Sequence, residues 1–337
     1  MLKVKSLATN KFYAAKVINK KMAKDVKIID RVKREIEILF RLNHPGIIKL
    51  FYYFEESEDL ILLLELAEDG SLFRLKHKIG SFNEKATCKL VYQLLLILGY
   101  LRKFCDYEKL VHRDIKIENL LIRRAGQKTM KIILTDFGYV NYIQKSDVSK
   151  KRNSFCGTLE YLSPEMIKNN GHDESVDVWS TGIMAYELLA GKTPFVAAVS
   201  SNEKAYNSQT CVNILKQELD YGRLDISDSG KEVIAMMLDK DFEKRPDVFE
   251  LLGHSWFKQK LSIGDLADLK HYNFGPVSAR GLKIDTGPVP LSGFNDQFFV
   301  DRKQYQSNVE CQSEKKKIGG ALAVDDSPMA TEPNNLA

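Results

Sequence analysis

Val111-His112-Arg113-Asp114-Ile115-Lys116-Ile117-Glu118-Asn119-Leu120-Leu121 sets an Asp, a Lys and an Asn at close offsets between apolar residues. Asp136-Phe137-Gly138 follows a short way further along the chain. No other stretch constrains the fold as much. Two carboxylates, an amide and an ammonium group, flanked by residues that belong in a core, describe a polar loop pinned into an apolar framework. A lone Asp-Phe-Gly is a common turn tripeptide. Its order and spacing after the first run make it half of one site.

The periodicities around this segment change along the chain. Phe12–Asn19, rich in β-branched and aromatic residues, reads as a strand, with Thr9-Asn10-Lys11 as the turn before it. Ile29, Val32, Ile36, Leu39 and Phe40 repeat at helical spacing over Ile29–Leu42, and Asn43-His44-Pro45-Gly46 stops that helix. Strands are expected over Ile47–Phe54 and Leu60–Leu66. Beyond them Asn83–Phe104 is a long apolar helix, Leu120–Ile122 and Lys131–Leu134 are short apolar runs, and the helical period returns over Val176–Gly191 and Lys231–Lys240. Asn202–Cys211 is polar and reads as a loop insertion. The pattern decays after Phe257, and the residues past Asp301 are polar and read as disordered.

Composition sets outer bounds. With 50 basic and 45 acidic residues, the net charge of +5 is too small and too scattered for a nucleic-acid footprint. The five cysteines form neither a metal spacing nor a disulfide framework, which fits a reducing compartment and a cytoplasmic location. Apolar runs such as Leu94–Leu98 are too short to span a bilayer, so no membrane partner is expected. Lys315–Lys317 is a weak nuclear-import signal; three lysines more often form a solvated patch.

Together the two halves of the 111–138 segment resemble the catalytic centre of eukaryotic protein kinases. The resemblance implies an α+β bilobal protein-kinase fold over residues 1–258, with a β-rich N-lobe at 1–66, a helical C-lobe at 67–258 and a tail at 259–337. It implies ATP and Mg2+ as cofactors and Ser or Thr of other proteins as the acceptor. Asp114 then takes the hydroxyl proton, Lys116 contacts phosphate, and Asn119 and Asp136 hold the metal. Ala14-Ala15-Lys16-Val17 resembles the strand that carries the phosphate-binding lysine, and Glu35, in the helix that follows, its partner. Glu65, Ala67 and Leu121 join Lys16, Glu35 and Asp136 in ATP binding. Leu39, Leu50, His112 and Phe137 match the apolar stack that this family aligns when active.

Ser154-Phe155-Cys156-Gly157-Thr158-Leu159-Glu160-Tyr161-Leu162-Ser163-Pro164-Glu165 resembles the end of an activation segment, with Ser154 as its phosphorylated position and Arg113 as the receiver of that phosphate. Glu165 should pair with Arg245, and Asp177-Val178-Trp179-Ser180 should brace the catalytic loop. Ser154–Ile167, His172–Asp177, Gly191–Phe195 and His254–Phe257 are similar to Aurora kinases, whose members are switched on by protein partners. A weaker likeness is to the cyclic-nucleotide- and lipid-regulated kinases, with Phe294–Phe298 resembling part of their tail. Lys116 and Thr158 mark Ser/Thr specificity. Glu118 and Glu187 stand where basophilic members meet substrate arginines, whereas Ser71 replaces a third acidic residue.

Two departures stand out. The stretch before Lys16 contains no glycine, so the first strand and the glycine-rich phosphate lid of this family have no counterpart. The expectation is an N-terminally truncated sequence; the chain as it stands should bind ATP weakly and leave one sheet edge exposed, and the alternative is a pseudokinase or interaction module. Ile117 replaces the usual catalytic-loop proline, a change activity should survive.

Overall fold

A computed structural model describes residues 1–272 apart from 8, 22–25, 105–107, 124–129, 145–157, 199–201 and 223, together with the backbone of 298–300. The first lobe holds β1 (Leu2–Ser6), β2 (Phe12–Asn19), α1 (Val26–Arg41), β3 (Leu50–Glu55) and β4 (Asp59–Leu64). The β1–β2 turn is tight: Ser6 N–H donates to the Lys11 carbonyl at 2.8 Å, and Asn10 takes a φ of 57°, which an asparagine tolerates. Lys16 faces Leu62 across the β2–β4 ladder. The second lobe follows with α2 (Leu72–Ile79), α3 (Glu84–Arg102), β5 (Glu108–Val111), β6 (Leu120–Arg123), β7 (Lys131–Leu134) and β8 (Asn141–Gln144). Then come α4 (Pro164–Ile167), α5 (Ser175–Ala190), α6 (Glu203–Lys216), α7 (Asp228–Met237), α8 (Val248–Leu252), α9 (Ser255–Lys260) and α10 (Ile263–Asp268). The β6–β7 and β5–β8 pairs frame the catalytic loop from either side.

Two expectations are corrected here. The first sheet runs β3-β4-β2-β1-β9, where β9 is Phe298–Val300, paired antiparallel with β1 through Val4↔Val300 and Ser6↔Phe298. The edge expected to be exposed along β1 is therefore covered by a strand from much later in the chain. Of the tail motif, Phe298 alone lies within the described residues. The expected loop at Asn202–Cys211 is instead the start of α6. Asn202 caps that helix by accepting from the Ala205 N–H at 3.2 Å, and only a narrow stripe, Thr210 and Ile214, is buried. A helix touching the core through two positions carries too little apolar signal to betray its period.

Packing continues past residue 258, with Leu261, Leu269 and Tyr272 buried against the core. Tyr272 donates its hydroxyl to the Ile132 carbonyl at 2.8 Å, and its ring stands edge-on to His44. His44 Nδ1 accepts from the Gly46 N–H at 3.0 Å, and Nε2 lies 3.1 Å from the Tyr272 carbonyl. Only the neutral Nε2–H tautomer satisfies both contacts. Burial pulls the His44 pKa below its ordinary 6.5, against the raising effect of the Tyr272 carbonyl. A depressed imidazole pKa gives stability that is present above the unfolded value and lost as pH falls below it. Melting curves between pH 7.5 and 5 should show that loss, and His44→Gln, which keeps a donor and an acceptor but does not titrate, should flatten part of it.

Candidate active site

The catalytic loop hangs between β5 and β6 and is held from beneath by α5. Asp177, fully buried in the first turn of α5, accepts the His112 N–H at 2.9 Å and the Arg113 N–H at 2.8 Å. Those two bonds hold Arg113 in a left-handed conformation, φ 65°, that a non-glycine residue adopts only when its surroundings enforce it. The buried guanidinium of Arg102 lies 3.7 Å from Asp177 and offsets its charge. His112 sits edge-on to Phe137 with ring centroids 5.0 Å apart. Leu39, Leu50 and Phe137 all belong to one buried cluster.

On this platform the polar groups converge. Asp114 Oδ2 lies 3.0 Å from Lys116 Nζ and accepts from Asn119 Nδ2 at 2.9 Å. Asn119 also donates to the Asp114 carbonyl, so its amide oxygen is the end left to face a cation. Lys116 donates to Thr158 Oγ1 at 2.8 Å, tying the catalytic loop to the described end of the activation segment. From the first lobe, Lys16 reaches both carboxylate oxygens of Glu35 at 2.8 Å and stands 3.7 Å from Asp136 Oδ1. Burial works against the Lys16 charge, but Glu35 and Asp136 together hold its pKa above the ordinary lysine value, so the ammonium persists. Asp136 is left-handed at φ 67°, and its carboxylate stays partly open to solvent.

Residues 1–257 match the protein kinase domain family. An Aurora kinase of Dictyostelium discoideum is 36% identical over 246 residues, covering 73% of this chain and 59% of that protein. Serine/threonine-protein kinase Aurora-1 of Arabidopsis thaliana is 35% identical over 252 residues, 74% of this chain and 79% of that protein. Aurora kinase B of Danio rerio is 33% identical over 245 residues, with 73% and 70% covered. The chain belongs to the protein kinase family, among relatives that are Aurora kinases. It spans less than two thirds of the Dictyostelium relative and of a Patiria pectinifera Aurora kinase.

As in other protein kinases, the nucleotide and metal would meet groups from both lobes. Lys16, held by Glu35, stands beside Asp136, and Asn119 and Asp136 would be the groups to offer oxygens to a cation. Among the described residues no three His, Cys, Asp or Glu side chains form a metal cluster. Mg2+ takes one or two carboxylates and completes its shell with phosphate and water. Glu65 is ion-paired with Arg123 across the lobes, and Leu121 is half-buried beside the bridge from Ser71. Ala67 packs on the same core.

The other expected roles divide. Glu165 and Arg245 form a buried two-point pair, both contacts at 2.7 Å. Ser71 caps α2, accepting from the Arg74 N–H at 3.3 Å. Ser154 and the basic run before it lie outside the described residues. The Arg113 guanidinium donates to the Tyr139 carbonyl at 2.8 Å. Glu118 is exposed at the loop's rim, but Glu187 is buried and already engaged by the Tyr161 hydroxyl and by Lys76 at 3.3 Å. The contacts of Tyr161 and Lys76 with Glu187 escaped the sequence reading. Lys76 lies one turn beyond the fully buried Leu72, and that placement on a burying face was the available signal.

Proposed function

We propose that this chain transfers the terminal phosphate of ATP to Ser or Thr of protein substrates carrying a basic residue upstream of the target. The observation that carries this is the Asp114–Lys116–Thr158 chain of contacts beside Asn119 and Asp136. Asp114, oriented by Asn119, accepts the proton of the incoming hydroxyl, and Lys116 balances charge on the phosphate side. Lys16 draws the nucleotide's phosphates toward Asp136. Mg2+-ATP, when bound, supplies the phosphoryl group and the metal charge that screens it. Exposed Glu118 gives a guanidinium a charge-assisted partner.

The test is an arrayed peptide assay with ATP and Mg2+. Preference for Ser or Thr with Arg or Lys upstream supports the proposal; preference for acidic or proline-flanked sites overturns it. No transfer from the chain, with or without an upstream extension, would leave an interaction module. Lys16→Met should weaken binding of an ATP analogue by about tenfold to a hundredfold, the loss of one charge-assisted contact. Calorimetric titration reads it, and a lowered melting temperature should accompany it because Glu35 loses its cation.

The same reading extends to regulation and place. Relatives among the Aurora kinases motivate an activating protein partner and phosphorylation of Ser154, tested by phosphopeptide mapping before and after incubation with ATP. Free thiols at Cys88 and Cys211 agree with a cytoplasmic or nuclear site, which imaging of the tagged chain would test. No helix among the described residues is long and apolar enough to cross a membrane.

A further inference from the structure

α2 and α5 end against each other. Gly80 and Gly191, at φ 83° and 77°, close the two helices by donating their N–H groups to the carbonyls of Lys76 and Glu187, each at 2.8 Å. A Cβ on Gly191 would stand 3.2 Å from the Gly80 carbonyl oxygen, and the Phe82 N–H donates to the Leu188 carbonyl at 2.7 Å. Each glycine lies one helical turn past the side chain in question, Lys76 on α2 and Glu187 on α5. Abutting the helix ends therefore sets Lys76 opposite Glu187.

Lys76 Nζ comes within 3.3 Å of Glu187 Oε1, with the two side chains only 12% and 9% exposed. The other carboxylate oxygen takes the Tyr161 hydroxyl. A carboxylate in the last turn of a helix faces the negative end of the backbone dipole, and burial adds to that cost, so Glu187 needs a cation close by. Burial raises its pKa, Tyr161 and Lys76 pull it back, and Glu118 repels it from across the site. Lys76 is a cation in direct contact with this carboxylate.

A substrate guanidinium binds a carboxylate best through two parallel hydrogen bonds, one to each oxygen. On Glu187 both oxygens are taken. We propose that Lys76 is a specificity-determining residue: its ammonium fills the seat on Glu187 that a second substrate arginine would occupy. The chain then reads one basic side chain through Glu118 and declines the other. This rests on the basic-directed reading above, and its test is arranged so that the two can fail separately.

The experiment compares kcat/KM for serine peptides bearing a single Arg, moved through each upstream position, against an Ala parent. For the native chain, one position should show a gain, and Glu118→Gln should remove it. Lys76→Met, which keeps the side-chain length, should create a gain of about tenfold at a further position, carried mainly by KM. Adding Glu187→Gln should erase that new gain, and Lys76→Arg should leave the native profile. An unchanged profile in a well-folded Lys76→Met protein overturns the proposal. If the native chain shows no arginine effect at any position, the basic-directed reading falls, and a new preference in Lys76→Met still supports the role of Lys76. Should Lys76→Met fold poorly, Lys76→Gln replaces it, and peptide affinity by fluorescence anisotropy serves in place of turnover. Equal affinity for one-Arg and two-Arg peptides in both proteins would overturn the proposal.

Discussion

Asp114→Asn should lower phosphate transfer by about 10²–10⁴-fold while leaving the melting temperature near that of the native chain. The two effects separate because of what surrounds the side chain. Asp114 is buried, receives Asn119 Nδ2 at 2.9 Å and lies 3.0 Å from Lys116 Nζ. An Asn in its place has nearly the same shape and can still accept from Asn119, so packing survives. It cannot take up a proton, and the incoming hydroxyl then meets no base. Radiolabel transfer from ATP to a serine peptide, read beside a thermal melt, checks both halves. Transfer by Asp114→Asn at the native rate would remove Asp114 from the chemistry.

Arg245→Ala should have the largest effect on stability. Its guanidinium is fully buried and bonds both oxygens of the buried Glu165 at 2.7 Å. It also donates to the Asp239 carbonyl at 2.9 Å and stacks over Trp179. Removing one member of such a pair strands the other charge away from water, at about 3–5 kcal/mol. For a domain of this size each kcal/mol moves the melting temperature by about 2–4 °C, so a drop of roughly 6–20 °C is expected. Glu165→Met combined with Arg245→Met should recover part of it, because no charge is left unpaired. A single-variant melt within a degree or two of native would show that the pair is dispensable.

How much of this was readable from sequence follows from where each signal sits. The residues of the catalytic loop act as one short run, so their order alone announced the site; β2 matches the strand expected at Phe12–Asn19, and β7 falls on the short apolar run Lys131–Leu134. Glu165 and Arg245 are far apart in sequence, and only the family likeness linked them; the structure brings them together. α6 was hidden because a helix mostly facing water has too narrow a stripe to detect. Lys76 was hidden for another reason: its role appears only when two helix ends from distant parts of the sequence are laid against each other. β9, Phe298–Val300, is too brief for any alternation to register.

That short strand has a consequence for how the small lobe assembles. Val4, in the middle of β1, pairs with Val300, a partner far along the chain. Every other ladder of that sheet joins segments of the first lobe alone, such as Ala14 with Leu64. Closing so long a loop is entropically late work, and a ribosome delivers its two ends far apart in time. The sheet should therefore exist in two stages: first four strands with β1 bare along one side, then five. Throughout the first stage the unpaired N–H and C=O groups of β1 are open to any extended segment that arrives before Phe298–Val300 does.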